Sequence, residues 1–197
     1  ELDRQRPIVA ASKAGKELSQ FIPAELRTQG FDAAMLAGGQ FAWADAQLPM
    51  IDRKTVERFV PSRPSVWVTR RRPKIDRVAC PWIIRRFIDP KARFVFGIEP
   101  GTHPDSAPFA MLGPQGFGHR GQDCTFETLC REFAIRDAKV KRIAQIIHDA
   151  DLGDEKFGRV EGQGLDKALN GWAKQDLPDD ELLQRGMDLI EGLYQAV

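Results

Sequence analysis

The sequence predicts a short α/β segment followed by a mainly helical α+β domain. Within residues 7–50, short apolar runs alternate with glycine turns and helix-like segments, which is typical of parallel α/β structure. Beyond residue 65, one pair of strand-like runs is followed by amphipathic segments with helical spacing. The 197 residues, of which 42% are hydrophobic and 29% charged, suffice for one medium globular domain plus a fragment.

The first predicted domain covers residues 1–52. "PIVAA" and "FDAAML" predict two short strands because they are apolar and bounded by turn residues. "ELSQFIPAELRTQG" predicts a helix that ends at Gly30, and "AGGQFAWADAQLP" predicts a glycine turn and a short helix that ends at Pro49. Two strands cannot cover their own faces, so we expect these residues to be part of a larger α/β unit.

Residues 53–65 are predicted to be a linker, and residues 66–197 a second domain. Pro61 and Pro64 disfavour a continuous helix in the linker. In the second domain, "VWVTRRRP" and "ARFVFGIE" predict a short strand pair. Between them, "KIDRVACPWIIRRFIDP" predicts a helix with Pro81 near its first turn.

A loop rich in Gly and Pro, residues 100–123, separates this part from a helical remainder. Loops of that length in compact domains tend to be functional or mobile. Thr125 is expected to cap the first of the four helices that follow. Their sequences are "TFETLCREFA", "DAKVKRIAQIIHDAD", "GLDKALNGW" and "DDELLQRGMDLIEGLY".

Charge is unevenly distributed although the net charge is +1. Residues 63–93 contain ten Lys or Arg and two acidic residues, whereas residues 149–197 contain twelve acidic residues and five bases. The basic block predicts either an anion-binding surface or a region that packs against the acidic one. Three cysteines without C-x-x-C spacing, no signal peptide and no membrane-spanning run lead us to expect a reducing, cytoplasmic environment.

One carboxylate is predicted to face the core from its helix. At about 100° per residue along "VKRIAQIIHDAD", Asp151 falls roughly 20° from the centre of the apolar stripe, and His148 lies on the rim about 80° away. A carboxylate in the core is costly unless it is paired, protonated or bound to a metal. Because His148 and Asp151 lie on adjacent turns, both side chains can reach one ion.

Further candidate ligands precede this helix. Glu127 lies at the edge of the preceding helix's apolar face, His119 near the end of the long loop, and Cys124 beside that loop. With His148 and Asp151, they match the ligands of Zn, Fe or Mn, so we predict a divalent metal site. Three alternatives remain open: Glu127 caps its helix, His148 is a hydrogen-bonded core histidine, and Asp151 pairs with an arginine.

Residues 8–50 resemble the C-terminal half of a rhodanese domain. The resemblance lies in "PIVAA", the loop "SKAGKELSQ" and "FDAAMLAGGQFAW". In that family the loop begins with a cysteine that carries a persulfide, and here the matching residue is Ser12. Because a serine hydroxyl cannot form a persulfide, we predict that this catalytic position is inactive and that thiosulfate sulfurtransferase activity is absent. A residual anion-binding loop from Ser12 to Ser19 is the alternative.

Residues 65–195 resemble the C-terminal domain of ChrB-type chromate-resistance proteins. The motifs are "WVTR", "RPKIDR", "CPWIIRRFID" and "RGMDLIEGLY", together with the segment from His119 to Glu127 and the aspartate Asp151 after an apolar helix. The resemblance implies a cytoplasmic bacterial protein that is needed for chromate resistance and acts beside a chromate efflux pump. Combined with the rhodanese-like segment, it indicates the arrangement called sulfurtransferase/chromate resistance protein.

The basic turn of this family is where we expect an oxyanion to bind. Chromate is a tetrahedral dianion, and guanidinium groups and helix N-termini bind such anions well. Arg70, Arg72, Lys74 and Arg77 are the candidate donors. Asp76 is expected to cap the following helix or to orient an arginine.

These observations favour a domain that binds or senses chromate and contains a metal site, joined to an inactive rhodanese-like segment. Two other classes remain open: a metal-dependent chromate-handling enzyme or sulfurtransferase, and a chromate-responsive DNA-binding regulator that uses the basic block. The lack of a helix-turn-helix pattern argues against the regulator. The expected partners are chromate or a related oxyanion and a chromate efflux system, and a homodimer is an open alternative.

Overall fold

A computed structural model of the chain divides into two compact units, Glu1–Pro49 and Met50–Val197. None of the helices in the described ranges is both long enough and apolar enough to cross a lipid bilayer. The described residues are 2–16, 18–60, 62, 64–99, 101, 103–111 and 116–197.

The first unit contains the two strands and two helices that its sequence predicts. Its strands pair in parallel, and Gly30 after the first helix has a φ of 82°, which an L side chain rarely adopts. Large apolar side chains remain exposed on this unit, among them Phe21 at 74% and Phe41 at 53%. Its elements are β1 (Ile8–Ala10), α1 (Leu18–Thr28), β2 (Ala33–Met35) and α2 (Gly39–Asp45).

Much of the predicted linker is a helix of the second unit. Helix α3 (Arg53–Phe59) begins at Asp52, whose side chain accepts a hydrogen bond from the Thr55 N–H at 2.9 Å. Val56 and Val60 are buried in the core of this unit. Residues 53–60 therefore cannot be a solvated linker, since their apolar face is needed for packing; Pro61 lies outside the described residues.

A parallel sheet of three strands forms one side of the second unit. The predicted pair is confirmed as β3 (Val66–Thr69) and β4 (Arg93–Phe96). A third strand, β5 (Ala107–Pro108), lies on the other side of β3, within the segment predicted to be a loop. Strand β5 is only two residues long, which is too short to show an alternating apolar pattern, so the sequence offered no signal for it.

The helix between β3 and β4 changes its winding near its end. Helix α4 (Asp76–Ile83) continues as a π-helical segment (Ile84–Ile88), in which the Asp89 N–H donates to the Ile84 carbonyl at 2.8 Å. The prediction that Pro81 lies in the first turn is wrong, because the helix begins at Asp76 and Pro81 is internal. A proline there leaves one carbonyl of the preceding turn without its usual donor, which favours irregular winding nearby.

Four helices complete the second unit, as predicted. The first of them is capped by Cys124 rather than by Thr125, which is its first helical residue. The core beneath them contains the fully buried Trp67, Phe109, Phe126 and Phe133. The helices are α5 (Thr125–Glu132), α6 (Ala138–Leu152), α7 (Val160–Ala173) and α8 (Asp179–Ala196).

Candidate metal and oxyanion site

A cleft of about 550 Å³ opens in the second unit where α4, α5, α6 and α7 approach one another. The turn between β3 and α4 supplies its basic side, and the loop before α5 supplies His119. Carboxylates from α4, α6 and α7 complete the polar lining. The polar and charged residues of the cleft are Arg70, Lys74, Asp76, Arg77, His119, Arg120, Thr125, Asp151, Asp166 and Asn170.

Asp76 is a buried carboxylate that caps a helix other than its own. Its two oxygens accept the backbone N–H groups of Thr125 at 2.6 Å and Phe126 at 3.0 Å. These groups belong to the first turn of α5, where the helix has no internal acceptors for them. The N-cap of α4 itself is Ile75, so the expectation that Asp76 caps the following helix is wrong. The reason is tertiary: α4 begins beside the N-terminus of α5.

His119 joins Asp76 to Asp151. Its Nε2 atom lies 3.3 Å from Asp76 Oδ2 and 3.2 Å from Asp151 Oδ2. The hydrogen bond to Asp76 raises the pKa of His119 above its usual value, although burial acts in the opposite direction. Burial, followed by the nearby charge of Asp76, raises the pKa of Asp151 to about 6. The close approach of two carboxylates and one imidazole in this cluster thus contributes to both pKa shifts.

The ligand atoms of Asp76, His119 and Asp151 all lie within 4.8 Å of one another. Two carboxylates and an imidazole are a ligand set that suits Mn, Fe or Zn. Thr125 also lines the cleft, and its buried hydroxyl has no hydrogen-bond partner among the described residues. Of this group, Asp76 was not recognised as a candidate ligand, because His119 and Asp151 lie 43 and 75 residues after it in the sequence.

The predicted metal cluster of five residues is divided between two places. His119 and Asp151 meet Asp76 in the cleft, whereas Cys124, Glu127 and His148 form a second group whose ligand atoms also lie within 4.8 Å of one another. Glu127 projects from the first turn of α5 and His148 from α6. Helical periodicity predicted one group of ligands, and the structure instead separates these residues into two groups of candidate ligands.

His148 lies between two carboxylates and is fully buried. Its Nδ1 atom is 2.5 Å from Glu127 Oε2, and its Nε2 atom is 3.3 Å from Asp154 Oδ2. The same Glu127 oxygen accepts the Cys124 N–H at 2.9 Å, which is half of a capping box. Burial raises the pKa of the Cys124 thiol far above its usual value. The sequence interpretation missed Asp154, which follows the glycine at the end of α6.

Three of the four predicted oxyanion donors line the cleft. Arg70 makes no hydrogen bond or ion pair with any described residue, while Lys74 donates to Asn170 and Arg77 to the Arg71 carbonyl at 2.7 Å. Arg120 was not predicted as a donor but also lines the cleft. Its distance from the basic block in the sequence explains why composition alone did not include it.

Arg72, the fourth predicted donor, lies outside the cleft. Its guanidinium donates to the Leu177 carbonyl at 2.9 Å and to Asp176 at 2.7 Å, and its backbone N–H donates to Asp179 at 2.8 Å. These bonds fasten the basic turn to the connection between α7 and α8. Here the basic and acidic blocks pack against each other, which was the other interpretation of the charge pattern.

Ser12 lies in the loop between β1 and α1 of the first unit. Its hydroxyl is 3.0 Å from the Ser19 hydroxyl, and its carbonyl accepts the Gln40 N–H at 3.0 Å. Gly15 and Gly39 make the close backbone approach of this loop to the start of α2 possible, since a Cβ on Gly39 would lie 2.2 Å from the Ser12 carbonyl oxygen. The inactivity of this position stays a prediction, which rests on the chemistry of the serine hydroxyl.

Comparisons with known proteins agree with the motifs of the second unit. The protein-family model described as "ChrB, C-terminal domain" matches residues 67–197 of this chain. The curated Protein ChrB of Cupriavidus metallidurans is 33% identical over 176 residues, which cover 87% of this chain and 52% of that protein. The chain thus spans about half the length of this relative. No solved structure shows significant similarity to the chain, so the rhodanese-like interpretation of residues 1–52 stays a prediction.

The matched range contains every residue of both clusters and of the cationic lining. It also contains the motifs "RPKIDR" and "CPWIIRRFID", which supply Asp76, Arg77 and the body of α4. The chain belongs to the family of the ChrB C-terminal domain.

Proposed function

We propose that this chain acts in chromate resistance by binding chromate or a related oxyanion in the cleft, beside a divalent metal ion held by Asp76, His119 and Asp151. The observation that carries the proposal is the meeting of this ligand trio with basic side chains in one cleft of about 550 Å³. Membership of the ChrB C-terminal domain family supports chromate as the oxyanion.

The trio has the chemistry of a hard or borderline cation site. Each Asp76 oxygen accepts one backbone N–H and retains a second lone pair that can face an ion. Three protein ligands leave positions for water or for an oxyanion. A divalent ion would also offset the repulsion between Asp76 and Asp151, the charge interaction that helps to raise the pKa of Asp151 in its absence.

The basic side of the cleft suits a tetrahedral dianion. Guanidinium groups donate two parallel N–H bonds to an oxyanion, and these charge-assisted bonds are stronger than neutral ones. Since Lys74 and Arg77 already donate to protein oxygens, Arg70 is the cation best able to turn towards a ligand. In this proposal the metal and Arg70 hold opposite sides of the same anion.

The remaining parts of the proposal follow the family resemblance. We place the protein's action in the cytoplasm, beside a chromate efflux system. Ser12 takes no part in sulfur transfer, because a hydroxyl cannot carry a persulfide.

The proposal is tested first by elemental analysis of the tag-free chain, then by calorimetric titration of the metal-loaded protein with chromate and with molybdate. Asp151→Asn should lower metal content, because the site loses one of its anionic ligands. Arg70→Ala should weaken oxyanion binding about tenfold, as expected for one charge-assisted bond, and leave metal content unchanged.

A charge-matched control separates specific binding from general attraction. Arg53→Ala removes an exposed cation of α3 that pairs with Glu57 and lies outside the cleft, so oxyanion affinity should stay the same. If Arg53→Ala and Arg70→Ala lowered oxyanion affinity equally, the loss would be explained by net charge and not by a specific contact with Arg70. Unchanged metal content in Asp151→Asn would contradict the metal site.

A further inference from the structure

We propose that Cys124, Glu127 and His148 form a second metal site, buried beside the cleft, that takes a thiophilic divalent cation such as Zn²⁺. Their Sγ, carboxylate oxygen and imidazole nitrogen atoms lie within 4.8 Å of one another. The inference does not rest on the proposed function, because none of the three residues belongs to the Asp76, His119 and Asp151 trio.

The separations are close to those a metal ion requires. Tetrahedral Zn²⁺ with bonds of about 2.0–2.3 Å holds its ligand atoms roughly 3–4 Å apart. The Glu127 oxygen and His148 Nδ1 are 2.5 Å apart, so a small rotation of the Glu127 carboxylate opens the space for the ion. Glu127 lies on α5 and His148 on α6, so the two side chains approach the ion from separate helices.

The orientation of His148 is that of a metal ligand with an outer partner. One ring nitrogen faces the cluster and the other lies 3.3 Å from the Asp154 carboxylate. Histidine ligands of metals usually donate their second N–H to a carboxylate or carbonyl, which fixes the ring and its tautomer. His148 is fully buried, and its ring also packs edge-on against Phe157 at 5.0 Å between centroids. The imidazole is thus held in one orientation before any ion arrives.

Cys124 and Glu127 are held by each other. The Cys124 thiol accepts the Glu127 N–H, and the Glu127 carboxylate accepts the Cys124 N–H at 2.9 Å. Cysteine is not a preferred N-cap, and a serine would make the same hydrogen bonds, so the cap alone does not account for a sulfur atom here. Without a cation, burial keeps Cys124 as a thiol; a bound metal ion supplies the positive charge that favours the thiolate, the form that binds metals.

The two clusters differ in ligand softness and therefore in the metals they select. The cleft offers two carboxylates and one imidazole, whereas the second site offers one sulfur, one nitrogen and one oxygen. Binding at the second site releases the thiol proton to solvent and forms a metal–sulfur bond, with no change of oxidation state. Two different ions can thus be bound near the first turn of α5, each by its own three ligands.

Cobalt substitution reports the sulfur ligand directly. Titrating the chelator-treated full chain with Co²⁺ should produce a near-ultraviolet thiolate-to-cobalt charge-transfer band. Cys124→Ser should abolish this band, while Cys130→Ser, a half-buried cysteine of the same helix outside the cluster, should retain it. Asp151→Asn should also retain the band, since the cleft holds a separate ion. That variant distinguishes failure of this inference from failure of the proposed function.

The inference is overturned if the wild-type chain shows no thiolate band, or if the band survives in Cys124→Ser. Serine is a good N-cap, so this variant is expected to fold, and its circular dichroism spectrum checks that. Should it not fold, X-ray absorption at the zinc edge of the zinc-loaded Asp151→Asn variant decides the question. One sulfur among the ligands supports the site, and a shell of nitrogen and oxygen alone overturns it.

Discussion

The Asp76 carboxylate holds the first turn of α5 and lines the cleft at the same time. It is 3% exposed and receives two backbone N–H groups, so its charge is compensated where an unpaired one would be costly. His119 reaches the same carboxylate from the loop before α5. Changes at this single side chain should therefore affect both folding and the cleft.

We expect Asp76→Asn to lower the free energy of unfolding of the metal-free chain by about 2 kcal/mol. An amide of the same shape has one oxygen and turns an NH₂ group towards one of the two backbone donors. Urea titration at neutral pH measures the change. Asp180→Asn, in the exposed first turn of α8, is the control and should change stability by less than about 1 kcal/mol. Equal effects would contradict the buried cap.

Asp151 should make the stability of the metal-free chain depend on pH. Its pKa is raised from 3.8 to about 6, so the folded state holds this proton more tightly than the unfolded chain does. The resulting stabilisation is present below the unfolded pKa and is lost as the pH rises through the folded one. At about pH 8, Asp151→Asn should then be more stable than the wild type by roughly 1–3 kcal/mol.

Denaturation of chelator-treated protein at about pH 4 and pH 8 checks this expectation. The advantage of Asp151→Asn should vanish at the lower pH, where the wild-type carboxyl is protonated as well. An equal difference at both pH values would mean that burial of the Asp151 charge is not its cause.

Helix α5 is the element on which both clusters depend. Asp76 accepts the N–H groups of its first two residues, while Cys124 and Glu127 cap each other. The backbone N–H groups of Thr125, Phe126 and Glu127 therefore all have hydrogen-bond acceptors, and these acceptors are also candidate metal ligands. A helix end held in this way places both clusters with little freedom, which is what metal binding requires.

Helix α8 fixes α4, and hence Asp76, through a glycine. A Cβ at Gly186 would lie 2.6 Å from Val78 Cβ, so the two helices approach more closely than any larger residue allows. We expect Gly186→Ala to destabilise the chain by about 2 kcal/mol or more through overpacking. Gly192→Ala, on the same helix but facing open space, should be neutral or stabilise by up to about 1 kcal/mol. Thermal unfolding of both variants gives the comparison, and matching melting temperatures would contradict it.

At the scale of the whole molecule, the second unit contains both clusters and has its own core. Its boundary lies at Met50 rather than at the predicted start of the domain. Met50 exchanges backbone hydrogen bonds with Arg136, and the Asp52 N–H donates to the Phe133 carbonyl at 3.0 Å. The segment before β3 is therefore tied to the end of α5.

A chain of residues 50–197 should fold and retain both ligand clusters. A chain of residues 65–197 should be less stable by several kcal/mol, because it loses Val56 and Val60 from the core as well as these backbone bonds. Circular dichroism and denaturant titration of the two chains measure the difference. Equal stabilities would restore residues 53–64 to the role of a linker.

Local patterns were enough to predict most of the elements. Apolar periodicity and cap residues located β1 to β4 and every long helix, since these signals lie within a few residues of one another. Helix α3 was missed because the linker prediction extended the effect of Pro61 and Pro64, which follow this helix, to the whole segment, including the buried Val56. Strand β5 was missed because it is two residues long.

The sequence by itself determined most of the candidate ligands, although it missed Asp76 and Asp154. Glu127, His148 and Asp151 were predicted as ligands from residue type and helical position, and His119 and Cys124 from residue type and their place in or beside the long loop. Their grouping was decided by the tertiary structure. Asp76 joins His119 across the fold, Glu127 turns to His148, and Arg72 is drawn to the acidic connection before α8. Periodicity specifies the face of a helix, whereas the side chain opposite that face depends on how separate elements pack.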